Sequence, residues 1–341
     1  MPRYCFEDFI PGTTEAYGDK TVDKDEMIAF ARVFDPQPMH IDEVAAREGF
    51  TGTLIASGWH TAAMHMRMIC DAFLLDSSSM GSPGVDELKW LRPVCPGDRL
   101  SARRTVLAAR VSASRPDRGI VTFRFEVVNQ RGETVLEQKN SVLFGLRHPG
   151  RTAPAPETGG ASHPPAHAVP TEGIADIAEA RSGLAYFDEI AIGTVLDLGS
   201  LDFSQTDIVA YARQFDPQYF HVDPAAARHS PFGRLIASGW HTAAGWMRTM
   251  AGDRMRRVSA AAAAGEPAAR LGPSPGFNTL RWLRPVAASD TISYRSKLVH
   301  KRASASRPGW GLVFHHNTGT NQAGELVFSF NGAVFWERRQ P

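Results

Sequence analysis

An aspartate and a histidine five residues apart occur twice in this 341-residue chain, in FDPQPMHID (34–42) and in FDPQYFHVD (215–223). Asp35 with His40, and Asp216 with His221, each put a carboxylate and an imidazole in one loop. Such a pair can bind and polarise a single water, each group accepting or supplying a proton. The competing reading is structural: the aspartate caps the following turn and the histidine satisfies a backbone carbonyl. Further along, IASGWHTA (55–62) recurs at 236–243. A glycine at the start of an apolar helix exposes backbone N–H groups at the positive end of the helix dipole. There the N–H of Gly58 or Gly239 can hold a developing oxyanion, for instance on a thioester carbonyl. Ser57 and Ser238 read equally well as ordinary N-caps. His60 and His241 are candidates for lining a substrate pocket, with a satisfied core histidine as the alternative.

Other reactive residues offer less. His60 and His65 are five apart with no HExxH, and Trp246 replaces the second histidine in the later copy, so no metal is expected. Cys5, Cys70 and Cys95 match Tyr186, Ala251 and Ala287, which argues against a cysteine nucleophile. Arg92 with Arg284, and Arg115 with Arg307, stand at matched positions and could meet ligand phosphates or be solvated sheet-edge charges.

These residues sit in a tandem repeat. Asp35 to Asp216 is a step of 181 residues (216 − 35), and LIASGWHTAA (54–63) recurs letter for letter at 235–244. WLRPV (90–94) and SASRP (112–116) recur at 282–286 and 304–308, a step of 192 (282 − 90). The eleven extra residues fall near VSAAAAAGEPAARLGPSPG, whose composition suits a surface excursion. Between the copies, residues 148–173 are rich in Pro, Ala and Gly and poor in large apolar side chains, as a linker is. The expected organisation is a domain at 1–148, a linker at 149–182 and a second domain at 183–341.

Each copy must position its loop with a helix. Asp23-x-x-Glu26 resembles a capping box, and Met27, Phe30, Ala31 and Phe34 follow at helical spacing. Ser204-x-x-Asp207 with Ile208, Tyr211, Ala212 and Phe215 repeats the pattern, and Pro36 or Pro217 helps to stop each helix. A second helix, apolar nearly all round, starts at SGWHTAAMHMRMICDAFL, and alternating runs such as GIVTFRFEVVNQRG read as antiparallel strands. The expected class is α+β, a sheet wrapped around a helix.

Composition narrows the function. With 37 basic and 36 acidic residues the net charge is +1, which gives no field for nucleic acid or an anionic membrane. No apolar run is long enough to span a bilayer, and MPRYCFEDF does not read as a signal peptide. Three cysteines without a CxxC suggest a reduced, cytoplasmic protein.

Taken together, DPQPMHID and IASGWHTAA resemble the MaoC-like hydratases, whose loop motif is usually written GDxNPxH, and the resemblance covers nearly all of both halves. It implies two fused hot-dog domains forming an intrachain pseudo-dimer, which could associate further as a homodimer. It implies a hydro-lyase that adds water to a 2-enoyl thioester or removes it from a 3-hydroxyacyl thioester, with (R) stereochemistry. Asp35 with His40, and Asp216 with His221, would then handle the water and the Cα proton, and the Gly58 and Gly239 amides would hold the thioester oxygen. Coenzyme A would arrive with the substrate and no further cofactor would be needed. Straight-chain, branched, aromatic and dicarboxylic acyl groups all fit this reading. A hot-dog acyl-CoA thioesterase and a non-catalytic acyl-CoA-binding protein are the alternatives. Phe34 and Phe215 replace the motif's Gly, Gln37 and Gln218 its Asn, and Tyr219 its Pro. The bulkier neighbours are expected to narrow the substrate tunnel.

Overall fold

The computed structural model describes residues 2–148, 173–179 and 183–339; most of the expected linker lies outside them. The first copy runs β1 (Thr14–Thr21), α1 (Lys24–Phe34), the short turns α2 (Pro38–Ile41) and α3 (Glu43–Glu48), α4 (Gly58–Ile69), β2 (Gly84–Trp90), β3 (Arg99–Val111), β4 (Arg118–Val128) and β5 (Thr134–Gly145). A two-residue strand, β6 (Ile177–Ala178), precedes the second copy. That copy runs β7 (Thr194–Phe203), α5 (Gln205–Phe215), α6 (Tyr219–Val222), α7 (Pro224–Ala227), α8 (Gly239–Ala263), β8 (Gly276–Trp282), β9 (Asp290–Ala303), β10 (Trp310–Thr320) and β11 (Leu326–Glu337). Among the described residues no helix is long and apolar enough to cross a membrane.

The expected caps form. Asp23 accepts from the Glu26 N–H and Ser204 from the Asp207 N–H, so both α1 and α5 start where the sequence indicates. Met27, Phe30 and Ala31 of α1, and Ile208, Tyr211, Ala212 and Phe215 of α5, are buried. Helix α4 continues as a π-helical turn over Cys70–Leu74, whereas α8 runs on as an α-helix for 25 residues. The second copy's extra length is therefore a mostly exposed helical extension followed by a loop.

The strands form one eleven-stranded sheet in the order β1-β3-β4-β5-β2-β8-β11-β10-β9-β7-β6. All neighbours are antiparallel except β6 on β7, where Ile177 and Ala178 of the linker stretch add an edge strand. The copies join at the centre, where β2 pairs with β8 in the register Val85↔Leu280 and Leu88↔Phe277. Gly84 and Gly276 open these two strands, and a Cβ on either would fall about 2 Å from the opposing carbonyl oxygen of Leu280 or Leu88. The result is two fused hot-dog domains: each half-sheet curls around its own helix, α4 or α8, and the continuous sheet makes one body of the pair. The main apolar core takes in Phe9 and Phe123 of the first copy and Tyr294 and Phe328 of the second, and a smaller cluster around Phe187, Val313 and Trp336 lies in the second copy.

Candidate active site

The loop after α1 is shaped by Pro36. The residue before a proline is driven out of the helical region, so Asp35 ends α1 at φ −152°, ψ 63° with its carboxylate turned inward and buried. Pro38 then opens α2, which carries His40. His40 Nδ1 lies 2.9 Å from the Ile55 carbonyl oxygen. A carbonyl only accepts, so Nδ1 carries a proton; in the neutral ring Nε2 then presents its lone pair, 3.4 Å from Asp35 Oδ2.

The start of α4 completes the site. Ser57 caps the helix by accepting from the Trp59 N–H at 3.2 Å and donates its own hydroxyl to Asp35 Oδ2 at 2.6 Å. Gln37 Nε2 donates to Asp35 Oδ1 at 2.7 Å. The Gly58 N–H belongs to the first turn, where no intrahelical acceptor exists, and Gly58 borders the same cavity as Asp35 and His40. Trp90 accounts for the glycine. Its indole N–H donates to the Gly58 carbonyl at 2.9 Å, and a Cβ on Gly58 would lie 2.5 Å from its ring.

The second copy repeats this geometry. Ser238 and Gln218 donate to Asp216 at 2.6 and 2.9 Å, His221 Nδ1 bonds the Ile236 carbonyl at 2.8 Å, and His221 Nε2 is 3.5 Å from Asp216 Oδ2. Trp282 holds the Gly239 carbonyl at 2.9 Å. Burial lowers the His221 pKa below the ordinary histidine range against the opposing pull of Asp216. One donor has no counterpart: Cys70 Sγ of the first copy approaches Asp216 Oδ1 at 3.4 Å.

Each cavity is built by both copies. The Asp35 cavity, about 410 Å³, is closed by Trp246, Met247 and Arg254 of α8 and by Phe277, His315, Asn317 and Phe330 of the second half-sheet. The Asp216 cavity, about 200 Å³, is closed by Met66 and Ile69 of α4, by Phe73 and Leu74 of the turn that follows it, and by Phe125, Gln138, Asn140 and Val142. Burial lowers the Arg254 pKa to about 10, partly offset by Asp35, so the guanidinium is charged at neutral pH. Burial, reinforced by Arg254, lowers the His315 pKa to about 3 and keeps its ring neutral.

Of the residues singled out from the sequence, Asp35, His40 and Gly58 meet at one cavity and Asp216, His221 and Gly239 at the other. Ser57 and Ser238 serve from behind, as hydrogen-bond donors to the aspartates. Arg92 and Arg284 lie exposed on the two cavity rims, each reaching a backbone carbonyl and a glutamate of the neighbouring turn. Arg307 joins the first rim, stacked over Phe50; its repeat mate Arg115 borders neither cavity.

His60 and His241 depart from the expectation and line neither cavity. Their rings turn to the opposite side of the helix, into the packing between copies. His60 stacks on Phe30 with Nε2 3.4 Å from Glu26 Oε1, and His241 stacks on Tyr211. Phe34 and Phe215 also take part there instead of narrowing a tunnel: Phe34 meets Tyr211 and His241, and Phe215 meets Phe30 and His60. The sequence reading missed Trp90 and Trp282, which their recurrence within WLRPV could have flagged. It also missed Arg254, and it weighed His315 only as a metal ligand without a mate in the first copy.

A model of the MaoC like domain matches residues 9–124 and again residues 189–309. The chain belongs to this family. The uncharacterized protein YdeM of Bacillus subtilis is 32% identical over 123 residues, 36% of this chain and 86% of its own length. Mesaconyl-CoA hydratase of Cereibacter sphaeroides is 35% identical over 79 residues, 23% of each chain. Two solved structures share the fold end to end. A MaoC domain dehydratase from Chloroflexus aurantiacus superposes with a TM-score of 0.80 at 20% identity, covering 99% of this chain and 98% of its own. A conserved hypothetical protein of Mycobacterium tuberculosis, described as having a double hotdog fold, does so at 0.72 and 16% identity, covering 98% of both.

Proposed function

We propose that this MaoC-like chain is a hydro-lyase of the (R)-specific enoyl-CoA hydratase and 3-hydroxyacyl-CoA dehydratase type, acting on an acyl-CoA thioester without any further cofactor. The observation that carries the reading is the pairing, at the wall of each cavity, of a histidine lone pair and a carboxylate oxygen 3.4 or 3.5 Å apart. Both are acceptors, so one water can donate a proton to each and is left with its lone pair free to attack Cβ of a bound enoyl thioester. As the C–O bond forms, the Asp/His pair takes one proton of the water and the electrons of the double bond move towards the thioester oxygen. The Gly58 or Gly239 N–H, at the positive end of its helix, stabilises that enolate oxygen. Return of the proton to Cα completes the hydration, and the reverse steps give dehydration. Ser57 and Gln37 hold the Asp35 oxygens in place, and the Ile55 carbonyl fixes the His40 tautomer. The relative named mesaconyl-CoA hydratase supports the same class.

The test follows absorbance of the enoyl-thioester band with crotonyl-CoA and longer or branched enoyl-CoAs, beside a thiol-release assay on the same samples. Loss of absorbance without free thiol is expected. Free thiol would make the protein a thioesterase, and binding without either change would make it an acyl-CoA-binding protein.

A further inference from the structure

The two cavities share their Asp/His walls but differ in the residues that the opposite copy contributes. In the Asp35 cavity α8 contributes Arg254 and β10 contributes His315 and Asn317. At the matching positions of the repeat the first copy has phenylalanine three times, at 73, 123 and 125, and Phe73 and Phe125 face the Asp216 cavity with Leu74. Arg254 and Asn317 thus stand in the Asp35 cavity where the Asp216 cavity has Phe73 and Phe125, while Phe330 and Gly332 of the Asp35 cavity match the neutral polar Gln138 and Asn140 of the other; Arg254 is the charged member of these exchanges.

Arg254 is also unspent. Its sequence neighbour Asp253 is taken by Arg256 and Arg257 at 3.3 and 2.8 Å, and among the described residues Arg254 itself makes no hydrogen bond or ion pair. His315 Nε2 is likewise buried without a partner among them. Asn317 Oδ1 accepts from Ser296, which leaves its amide N–H groups to serve the cavity. Asp35 and Asp253 act on the partly buried Arg254 only through space, so its hydrogen-bonding capacity is unmet, and the forked donor set of an arginine matches a carboxylate. The exposed Arg92 and Arg307 on the rim suit the phosphates of coenzyme A, so Arg254 is left for the acyl end.

We propose that the Asp35 cavity is selective for enoyl thioesters whose acyl chain ends in a second carboxylate, bound by Arg254 with Asn317 beside it, while the Asp216 cavity, with Phe73, Phe125, Gln138 and Asn140 at the matching wall, takes uncharged acyl chains. One chain would then carry two sites of the same chemistry and different acyl specificity. The proposal rests on the enoyl-thioester reading above.

The sites are separated by comparing Asp216→Asn protein, in which only the Asp35 site works, with Asp35→Asn protein. Each is assayed with matched pairs that exchange a terminal methyl for a carboxylate: crotonyl-CoA against fumaryl-CoA, and 2-pentenoyl-CoA against glutaconyl-CoA. The Asp216→Asn protein is expected to favour the carboxylate member by at least ~100-fold in kcat/KM, because the hydrogen-bonding capacity of Arg254 is otherwise unmet. The Asp35→Asn protein should favour the methyl member. Adding Arg254→Met to Asp216→Asn should erase the preference mainly through KM, and Arg254→Lys should keep part of it. Absence of a preference, or an equal loss for both members in Arg254→Met, would overturn the proposal and make Arg254 a counter-ion of Asp35. Should no enoyl thioester be turned over, the functional reading falls but calorimetry still decides this point. Tighter binding of glutaryl-CoA than of valeryl-CoA, lost in Arg254→Met, would support it, and equal binding would sink it.

Discussion

Cys70 Sγ lies 3.4 Å from Asp216 Oδ1, so a thiol from one copy of the repeat touches the carboxylate of the other copy's site. Asp35 has no such partner, because alanine stands at the matching position 251. Burial and the Asp216 charge raise the Cys70 pKa well above the usual thiol value, so Cys70 is a neutral hydrogen-bond donor, not a nucleophile.

Cys70→Ala should therefore act on one site. With Asp35→Asn as background, leaving the Asp216 site alone, turnover of an apolar enoyl-CoA should fall several-fold, whereas the Asp216→Asn background should show no comparable change. Iodoacetamide at mildly alkaline pH should leave Cys70 unmodified until denaturant is added, which peptide mass mapping would read out.

Ser57 and Ser238 each cap a helix and donate to a buried carboxylate. Ser57→Ala or Ser238→Ala should each cost about 2 kcal/mol, from the lost cap and the lost charged hydrogen bond together. Urea midpoints would show this, and turnover at the matching site should fall alongside. An alanine variant of unchanged stability and unchanged rate would show that the aspartate is held by other means.

Gly58→Ala would place a methyl about 2.5 Å from Trp90, and Gly239→Ala one about 2.2 Å from Trp282. Each indole must give way, loosening its bond to the glycine carbonyl and shifting the cavity wall. A loss of about 1–3 kcal/mol is expected, as for other overpacked sites, with a shift in tryptophan emission and a drop in turnover.

Stability should depend on pH through the buried histidines, His60 and His221 among them, and most through three. Burial lowers His65, His241 and His315 to about 3, while in the unfolded chain they titrate near 6.5, the ordinary histidine value. The folded state therefore binds fewer protons than the unfolded one between these values. Their contribution is full above pH 6.5 and is lost as pH falls towards 3, at up to ~1.4 kcal/mol per pH unit for each. Thermal melts should show Tm falling steadily from pH 7 to pH 5. Replacing His315 by Asn should make that fall shallower.

The repeat made much of this legible. Asp35, His40, Ser57 and Gly58 recur with Asp216, His221, Ser238 and Gly239, so residue type and spacing alone brought eight groups to two places. The helix starts at Asp23 and Ser204 followed from capping chemistry. What stayed hidden depends on contacts between copies. The helical face on which His60 turns away from the cavity is set by Phe30 and Phe215, one from each copy. Phe34 and Phe215 are bulky because each fills the seam against the opposite copy, which a motif read within one copy cannot reveal. Arg254 borders the Asp35 cavity although more than two hundred residues separate them in the chain, so only the folded pseudo-dimer discloses it. The short strand at Ile177 and Ala178 escaped notice because composition there suggested only a linker.

The central claim, that the two Asp/His pairs handle the water, is tested most directly by Asp35→Asn combined with Asp216→Asn. Hydration of the best enoyl-CoA is followed by absorbance, with circular dichroism and Tm taken on the same sample. The account predicts that each single variant keeps the activity of its intact site, while the double variant loses about 10³-fold or more and stays folded. A folded double variant that hydrates at a rate near that of the parent would contradict it.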